Sequence, residues 1–159
     1  MLTFRELRAG DREPLRQLLA NISVFNQEDQ NLALELVDAA LNNPTQKEYE
    51  FLLAWEGADL RGYACYGPTP LTDRTYDLYW IAVDDRFAGQ GIGSQIMKNV
   101  ENILQQANGR MVVIETSSLQ TYGSTRAFYL KHGYRLAEQI ADFFRNGEDR
   151  VTYTKMIGK

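Results

Sequence analysis

One cysteine and one histidine stand in 159 residues. A single thiol, Cys65, closes no intramolecular disulfide, so the fold is expected not to depend on an oxidising compartment, and the expected address is cytoplasmic. The same scarcity leaves no donor set for a His/Cys metal site. No apolar run approaches the roughly 20 residues of a membrane-spanning helix, so no membrane partner is expected. The first thirty residues carry Arg5, Glu6, Arg8, Asp11, Arg12 and Glu13 where a signal peptide or anchor would be apolar. Positive charge is also in deficit. The 17 Lys+Arg against 21 Asp+Glu leave a net charge of -4. That balance argues against nucleic acid held by bulk electrostatics, and any anionic ligand must be bound locally.

What is present matches a soluble globular chain, with 44% hydrophobic and 24% charged residues. The length accommodates one ordinary core, so residues 1–159 are expected to form one domain. Leu2 to Leu7 reads as a strand. Ala9-Gly10-Asp11 reads as a turn with an N-cap for a helix through Ala20. Leu32, Leu34, Leu36, Val37, Ala40 and Leu41 mark a second helix with Glu28 and Asp29 in its first turn, ending before Pro44. Tyr49 to Trp55 and Leu60 to Tyr66 flank Glu56-Gly57-Ala58-Asp59 as a hairpin, and Gly67-Pro68-Thr69-Pro70 breaks the sheet. Thr75 to Asp84 is a central strand rich in aromatic and β-branched residues. Ile92, Ile96, Met97, Val100, Ile103, Leu104 and Ala107 line one helical face that Asn108-Gly109 closes. Met111 to Ile114 reads as a buried strand, and Ser124 to His132 as a helix ended by Gly133. Tyr134 to Phe144 and Arg150 to Ile157 read as strands around Asn146-Gly147.

The segment Arg86-Phe87-Ala88-Gly89-Gln90-Gly91-Ile92-Gly93-Ser94 lies between a strand and a helix. A helix start leaves backbone N–H groups without partners, and glycines admit a ligand to that backbone, so the segment suits a phosphate or pyrophosphate. The alternative is a glycine-rich turn with no ligand. A P-loop would end in Gly-Lys-Ser/Thr, whereas Ile92 follows Gly91. A dinucleotide fingerprint is disfavoured because the strands before the loop form a hairpin and not a βαβ unit.

These residues resemble the signature of the GNAT superfamily of acyl-CoA N-acyltransferases. Its Gln/Arg-x-x-Gly-x-Gly/Ala pattern appears as Arg86-Phe87-Ala88-Gly89-Gln90-Gly91, preceded by Ile81-Ala82-Val83 in place of a hydrophobic-x-Val strand end. Arg126-Ala127-Phe128-Tyr129-Leu130-Lys131-His132-Gly133-Tyr134 is similar to the second signature, a helix carrying Phe-Tyr and ending in Gly-Phe or Gly-Tyr. The resemblance covers essentially the whole chain. It implies an α/β fold with a mixed central sheet of about seven strands flanked by about four helices, splayed between the fourth and fifth strands. It implies acetyl-CoA as co-substrate, with no metal. The backbone of Ile81, Ala82 and Val83 would meet the pantetheine arm. Arg86 and the loop Gly89, Gln90, Gly91, Ile92, Gly93 and Ser94 would hold the pyrophosphate, with further cofactor contacts from Tyr122, Ser124 and Arg126. Many members carry an Asn where Tyr122 stands.

Tyr129 falls on the position that in many members is the general acid for the departing thiolate. An unperturbed tyrosine near pKa 10 is protonated at neutral pH; full transfer to a thiolate near 8.5 is uphill by about 2 kcal/mol, so a strengthening hydrogen bond is the better description. The acceptor amine must lose a proton, which for a lysine-like amine at pH 7 costs about 4.6 kcal/mol. Glu115 is the first choice of base, with Asp77, Tyr79 and Glu28 behind it. His132 sits where a helix C-terminus favours His, and Cys65 lies in an apolar run as a small core residue, which disfavours an acyl-cysteine.

Acceptor specificity is expected from the first two helices and the loop Gly67 to Arg74. Glu28, Asp29, Glu35, Asp38 and Asp73, with Phe25, Tyr66, Tyr76, Tyr79 and Trp80, would suit a cationic amine, small molecule or peptide. The leading reading is acetyl transfer to an amine by direct attack in a ternary complex. The alternatives are a non-catalytic acyl-CoA-sensing module and a protein that uses the loop for ATP. The C-terminal strands could support a homodimer. Gly91→Val is expected to block the pyrophosphate while leaving the fold largely intact.

Overall fold

The apolar runs become seven strands and four helices in a computed structural model covering residues 1–159. In chain order they are β1 (Thr3–Arg5), α1 (Arg12–Ala20), α2 (Gln27–Asn42), β2 (Glu50–Glu56), β3 (Asp59–Pro68) and β4 (Thr75–Val83). Then come α3 (Ile92–Gln106), β5 (Met111–Ser117), α4 (Gly123–Lys131), β6 (Arg135–Arg145) and β7 (Glu148–Met156). The sheet order is β1-β2-β3-β4-β5-β7-β6. The β4–β5 pair is parallel, while β1–β2, β2–β3, β5–β7 and β6–β7 are antiparallel, which makes the sheet mixed. The chain divides into two compact units, Met1–Gly67 with Tyr79–Ile103, and Pro68–Leu78 with Leu104–Lys159.

In the first unit, α1 buries Leu15, Leu18 and Leu19, one stripe at helical spacing, and α2 buries Ala33, Val37 and Ala40. Both stripes join Phe51, Leu53, Tyr63, Cys65 and Ala82 of the strands in one apolar cluster. Asn26 and Asp29 close a capping box at the start of α2. Asp11 does not cap α1 as expected: its carboxylate turns back to accept from the Arg8 backbone N–H at 2.7 Å and from both Arg5 guanidinium nitrogens. The opening strand is shorter than its apolar run, and β3 continues to Pro68 through the residues expected to break it. Within β3, Gly62 is required by a close approach, because a Cβ there would sit 2.7 Å from the Ala82 carbonyl oxygen and 2.9 Å from Ile96. Only glycine lets β3 run this close to β4 and α3.

In the second unit, Thr75–Asp77 of β4 pair with Met111–Val113 of β5. Asn108 takes the left-handed conformation at φ 62, and Gly109 N–H donates to Leu104 O at 2.7 Å, which ends α3. Gly133, at φ 87, ends α4 in the same way. The β5 strand runs three residues beyond Ile114, so Glu115 lies within the strand and not at its end. No helix is long and apolar enough to cross a membrane.

Candidate active site

In the first unit, the glycine segment hangs between β4 and α3. Ala82 is buried, and Ile81 and Val83 are half-buried on either side of it. Asp84, 1% exposed, starts the turn. It accepts from Arg86 N–H at 2.9 Å, from Arg86 Nη2 at 2.7 Å and from Asn21 Nδ2, while its own N–H donates to Arg61 O at 3.0 Å. The Arg86 guanidinium and its neighbouring donors hold the Asp84 carboxyl below the usual range against the opposing effect of burial. Arg86, expected as a cofactor residue, therefore spends its guanidinium on this turn, with two thirds of its side chain open to solvent.

Gly89 and Gly91 take φ values of 79 and 78, and a Cβ added at either would meet nothing within 4 Å. The backbone is thus left-handed and open on the side a side chain would occupy. Ile92 is buried and starts α3, whose first turn has no earlier carbonyls in its own helix. Gln95 N–H donates to Gly91 O at 3.1 Å. Gly89, Gln90 and Gly91 are exposed, and Gly93 and Ser94 half-buried. Exposed backbone at positive φ leading into a helix N-terminus is of the kind that can receive an anion. The expectation for Gly91→Val needs correction. A β-branched residue at φ 78 is strained, so that substitution costs stability as well as space.

In the second unit, α4 packs Tyr129 at 5% exposure among Phe128, Tyr134 and Tyr153, with ring centroids 5.8, 6.2 and 5.9 Å away. Burial, followed by the proximity of Tyr122 and Tyr153, pushes the hydroxyl well above its ordinary pKa. It stays protonated throughout the physiological range. Tyr122, half-buried, ends the short turn Gln120–Tyr122, and Ser124 is exposed. Arg126 Nη1 donates to Ser117 O at 2.7 Å and to Leu119 O at 2.8 Å, so this residue clamps the β5–α4 connection.

Glu115 lies on β5 with its side chain 54% exposed, 3.7 Å from Arg150. Arg150 also donates to Glu138 at 2.8 Å and lies beneath the Phe143 ring at 4.5 Å. Sequence reasoning missed both Arg150 and Glu138. Their signal was strand register, since Thr152 pairs with Glu115 on one side and with Glu138 on the other.

The remaining base candidates have other engagements or none that is catalytic in form. Thr69 Oγ1 donates to Asp77 at 2.8 Å, Tyr79 packs edge-on against Tyr49, and Glu28 sits in the first turn of α2. Several acids expected to draw an amine are committed locally: Asp38 to Arg12, Asp73 to Arg74, and Asp29 to the Asn26 cap. Cys65 is fully buried and burial raises its thiol pKa, which suits a core residue. His132 comes directly after α4, its N–H donating to Phe128 O and Tyr129 O.

The sequence model of the acetyltransferase (GNAT) domain matches residues 47–136. A GNAT-family protein of Desulfovibrio desulfuricans superposes with a TM-score of 0.95 at 34% identity, covering 99% of this chain and 100% of that one. A GNAT family acetyltransferase from Elizabethkingia anophelis, solved with acetyl-CoA bound, superposes with a TM-score of 0.72 at 25% identity over 98% of this chain and 97% of its own. The uncharacterised N-acetyltransferase YedL of Escherichia coli K12 is 26% identical over 103 residues, 65% of this chain. The match spans only 62% of that relative's length. With its strand order, its glycine turn ahead of α3, a family match over more than half its length and a relative that superposes from end to end, the chain belongs to the GNAT acetyltransferase family.

Proposed function

We propose that residues 1–159 act as one cytoplasmic N-acetyltransferase domain that moves the acetyl group of acetyl-CoA to an amine of a small molecule or peptide, by direct attack in a ternary complex. The observation that carries this reading is the left-handed, open backbone at Gly89 and Gly91 leading into α3. Such backbone N–H groups at a helix start would suit a pyrophosphate, and an acidic chain must hold an anion locally. The Elizabethkingia relative with acetyl-CoA bound supports the choice of ligand.

Acetyl-CoA would supply a thioester carbonyl activated toward the amine. The backbone of Gly89 to Ser94 would bind the pyrophosphate, and the main chain of Ile81, Ala82 and Val83 would orient the arm. Arg86 would act by shaping the turn, since Asp84 already occupies its guanidinium. Arg126 would serve in the same way on the β5–α4 connection that carries Tyr122 and Ser124.

In the transfer, the amine nitrogen bonds the acetyl carbon and the carbon–sulfur bond breaks. Tyr129 would donate a hydrogen bond as charge grows on sulfur. Its burial makes complete proton transfer more costly than for a free tyrosine and keeps the donor in place. Glu115, half-exposed on β5 and 3.7 Å from Arg150, would accept the proton the amine must lose.

The test is the thermal unfolding midpoint with acetyl-CoA, ATP or NAD. Ligand at a hundredfold excess over its dissociation constant adds about 2.7 kcal/mol, a shift of several degrees. The reading expects a rise with acetyl-CoA alone, and then release of free thiol with a panel of amines. A rise with ATP or NAD and none with acetyl-CoA refutes it.

A further inference from the structure

Strand β6 begins at Arg135 opposite Thr154, so β7 runs on through Lys155 and Met156 with no β6 residue beside them. The turn from α4 into β6 passes this gap, and Gly133, left-handed at φ 87, carries no side chain to fill it. The result is a cleft of about 400 Å³ within the second unit, lined by Gly133, Arg135, Leu136, Thr154, Lys155 and Met156. None of these residues belongs to the glycine segment or has a place in the proposed transfer.

The charge in the cleft is one-sided. Arg135 and Lys155 line it and no acidic side chain does, in a chain whose net charge is -4. Arg135 and Thr154 are opposite each other in the ladder, so their side chains share one face of the sheet, and the pleat sends Lys155 to the other. The two cations meet at the end of β6. Lys155 lies along the turn, with Cε 3.5 Å and Nζ 3.7 Å from where a Gly133 Cβ would stand, and Nζ is 5.5 Å from the centre of the Tyr134 ring. Every other arginine of this unit is engaged: Arg74 with Asp73, Arg110 with the Asp73 carbonyl, Arg126 with the carbonyls of Ser117 and Leu119, Arg145 with Glu148, and Arg150 with Glu138. The exposed Arg135 guanidinium meets no acceptor in the protein. Lys131, in the last turn of α4, complements the negative end of that helix, whereas Arg135 comes after the helix and stands on a strand.

We infer that this cleft binds a phosphate group, as the free anion or as the ester of a small organic molecule. The planar fork of Arg135 can take two phosphate oxygens at once, the Lys155 ammonium adds a point charge, and the Thr154 hydroxyl is a further donor on the Arg135 face. Leu136 and Met156, both more than half exposed, give the cleft an apolar wall that the organic part of an ester would cover. The site does not depend on acetyl transfer, so it and the proposed function are tested apart.

The experiment follows the amide resonances of the full ¹⁵N-labelled chain while inorganic phosphate or phenyl phosphate is added to about 50 mM, with chloride holding the ionic strength constant. The expected result is a saturable shift of the amides of Gly133, Arg135, Leu136, Thr154, Lys155 and Met156, with a dissociation constant of about 1–10 mM. Tighter binding of phenyl phosphate assigns the cleft to an ester and equal binding to the free anion, and either result supports the site. Arg135→Gln is expected to weaken binding at least tenfold, and Lys155→Gln to weaken it as well. Shifts that do not saturate, or that occur at residues 89–94 and not in the cleft, overturn the inference. Binding that Arg135→Gln leaves intact overturns it too. The native spectra carry the test even where a variant fails to fold, and the response of residues 89–94 to acetyl-CoA reports separately on the proposed function.

Discussion

Replacing Gly91 with alanine separates the two properties that the proposed anion site combines, its backbone conformation and its openness. Gly91 holds φ at 78, and a Cβ there meets no protein atom within 4 Å. The cost to the free protein is therefore conformational, about 1–2 kcal/mol for an L-residue in the left-handed region. For a domain of this size that lowers the unfolding midpoint by about 2–8 °C. Ligand binding loses more, because the methyl group occupies the space a pyrophosphate would enter. Gly57, in the β2–β3 turn at φ 61, is also open within 4 Å and provides the control. Gly57→Ala is expected to lower the midpoint by a comparable amount while keeping the whole rise, about 2.7 kcal/mol, that acetyl-CoA at a hundredfold excess confers. Gly91→Ala is expected to lose most of that rise. The assay is differential scanning calorimetry of both variants with and without acetyl-CoA. A full rise in Gly91→Ala would mean that the phosphate does not sit on this backbone.

Three further outcomes test other parts of the structure. Tyr129→Phe keeps the buried ring and removes the hydroxyl. A hydrogen bond to a developing charge contributes about 1.5–3 kcal/mol, so turnover measured by thiol release should fall about 10–100-fold with the acetyl-CoA midpoint rise unchanged; undiminished turnover takes Tyr129 out of the mechanism. Tyr63 Oη is buried in the core of the first unit with no hydrogen-bond partner. Tyr63→Phe should therefore raise stability by about 1 kcal/mol in urea unfolding, and a loss of stability would show that the hydroxyl is satisfied. Asp84 has its carboxyl held below the ordinary value of 3.8, so the folded state binds fewer protons there than the unfolded chain. Its contribution is present above that value and is lost as pH falls through the lower folded value, so the stability gap between the native chain and Asp84→Asn should close as pH drops below about 4. A gap that does not change with pH refutes this account.

Local chemistry made most of the fold legible. The α3 stripe of Ile92, Ile96, Met97, Val100 and Leu104 is buried as its spacing predicts, and Asn108-Gly109 ends that helix through the left-handed Asn108. Errors arose where a distant partner decides. Asp11 had the composition of an N-cap, but Arg5 on β1 offered two charged donors and drew the carboxylate away from the helix. Ile103 keeps the helical spacing and is still 36% exposed, because nothing in a periodicity fixes where the covering surface stops. Strand β5 outran its apolar core, since Glu115, Thr116 and Ser117 are held in the ladder by pairing with Thr152, Val151 and Arg150 rather than by their own propensity.

The candidate site divides along the same line. Gly89 and Gly91 could be picked out because a left-handed backbone favours a residue type that is visible in a string of letters. Arg86 and Arg126 also stood in signature positions, but each directs its guanidinium to a protein acceptor, Asp84 in one case and the carbonyls of Ser117 and Leu119 in the other. A bidentate or shared donor on the main chain removes conformational freedom from a connection without touching any ligand. Arg86→Lys and Arg126→Lys therefore distinguish shaping from binding. Lysine keeps the charge but offers no planar fork to reproduce these contacts, so a shaping role predicts loosened connections, seen as faster hydrogen exchange of residues 84–88 or 117–123 even without acetyl-CoA. Unchanged exchange in the free protein, with weakened acetyl-CoA binding, would return both arginines to the cofactor.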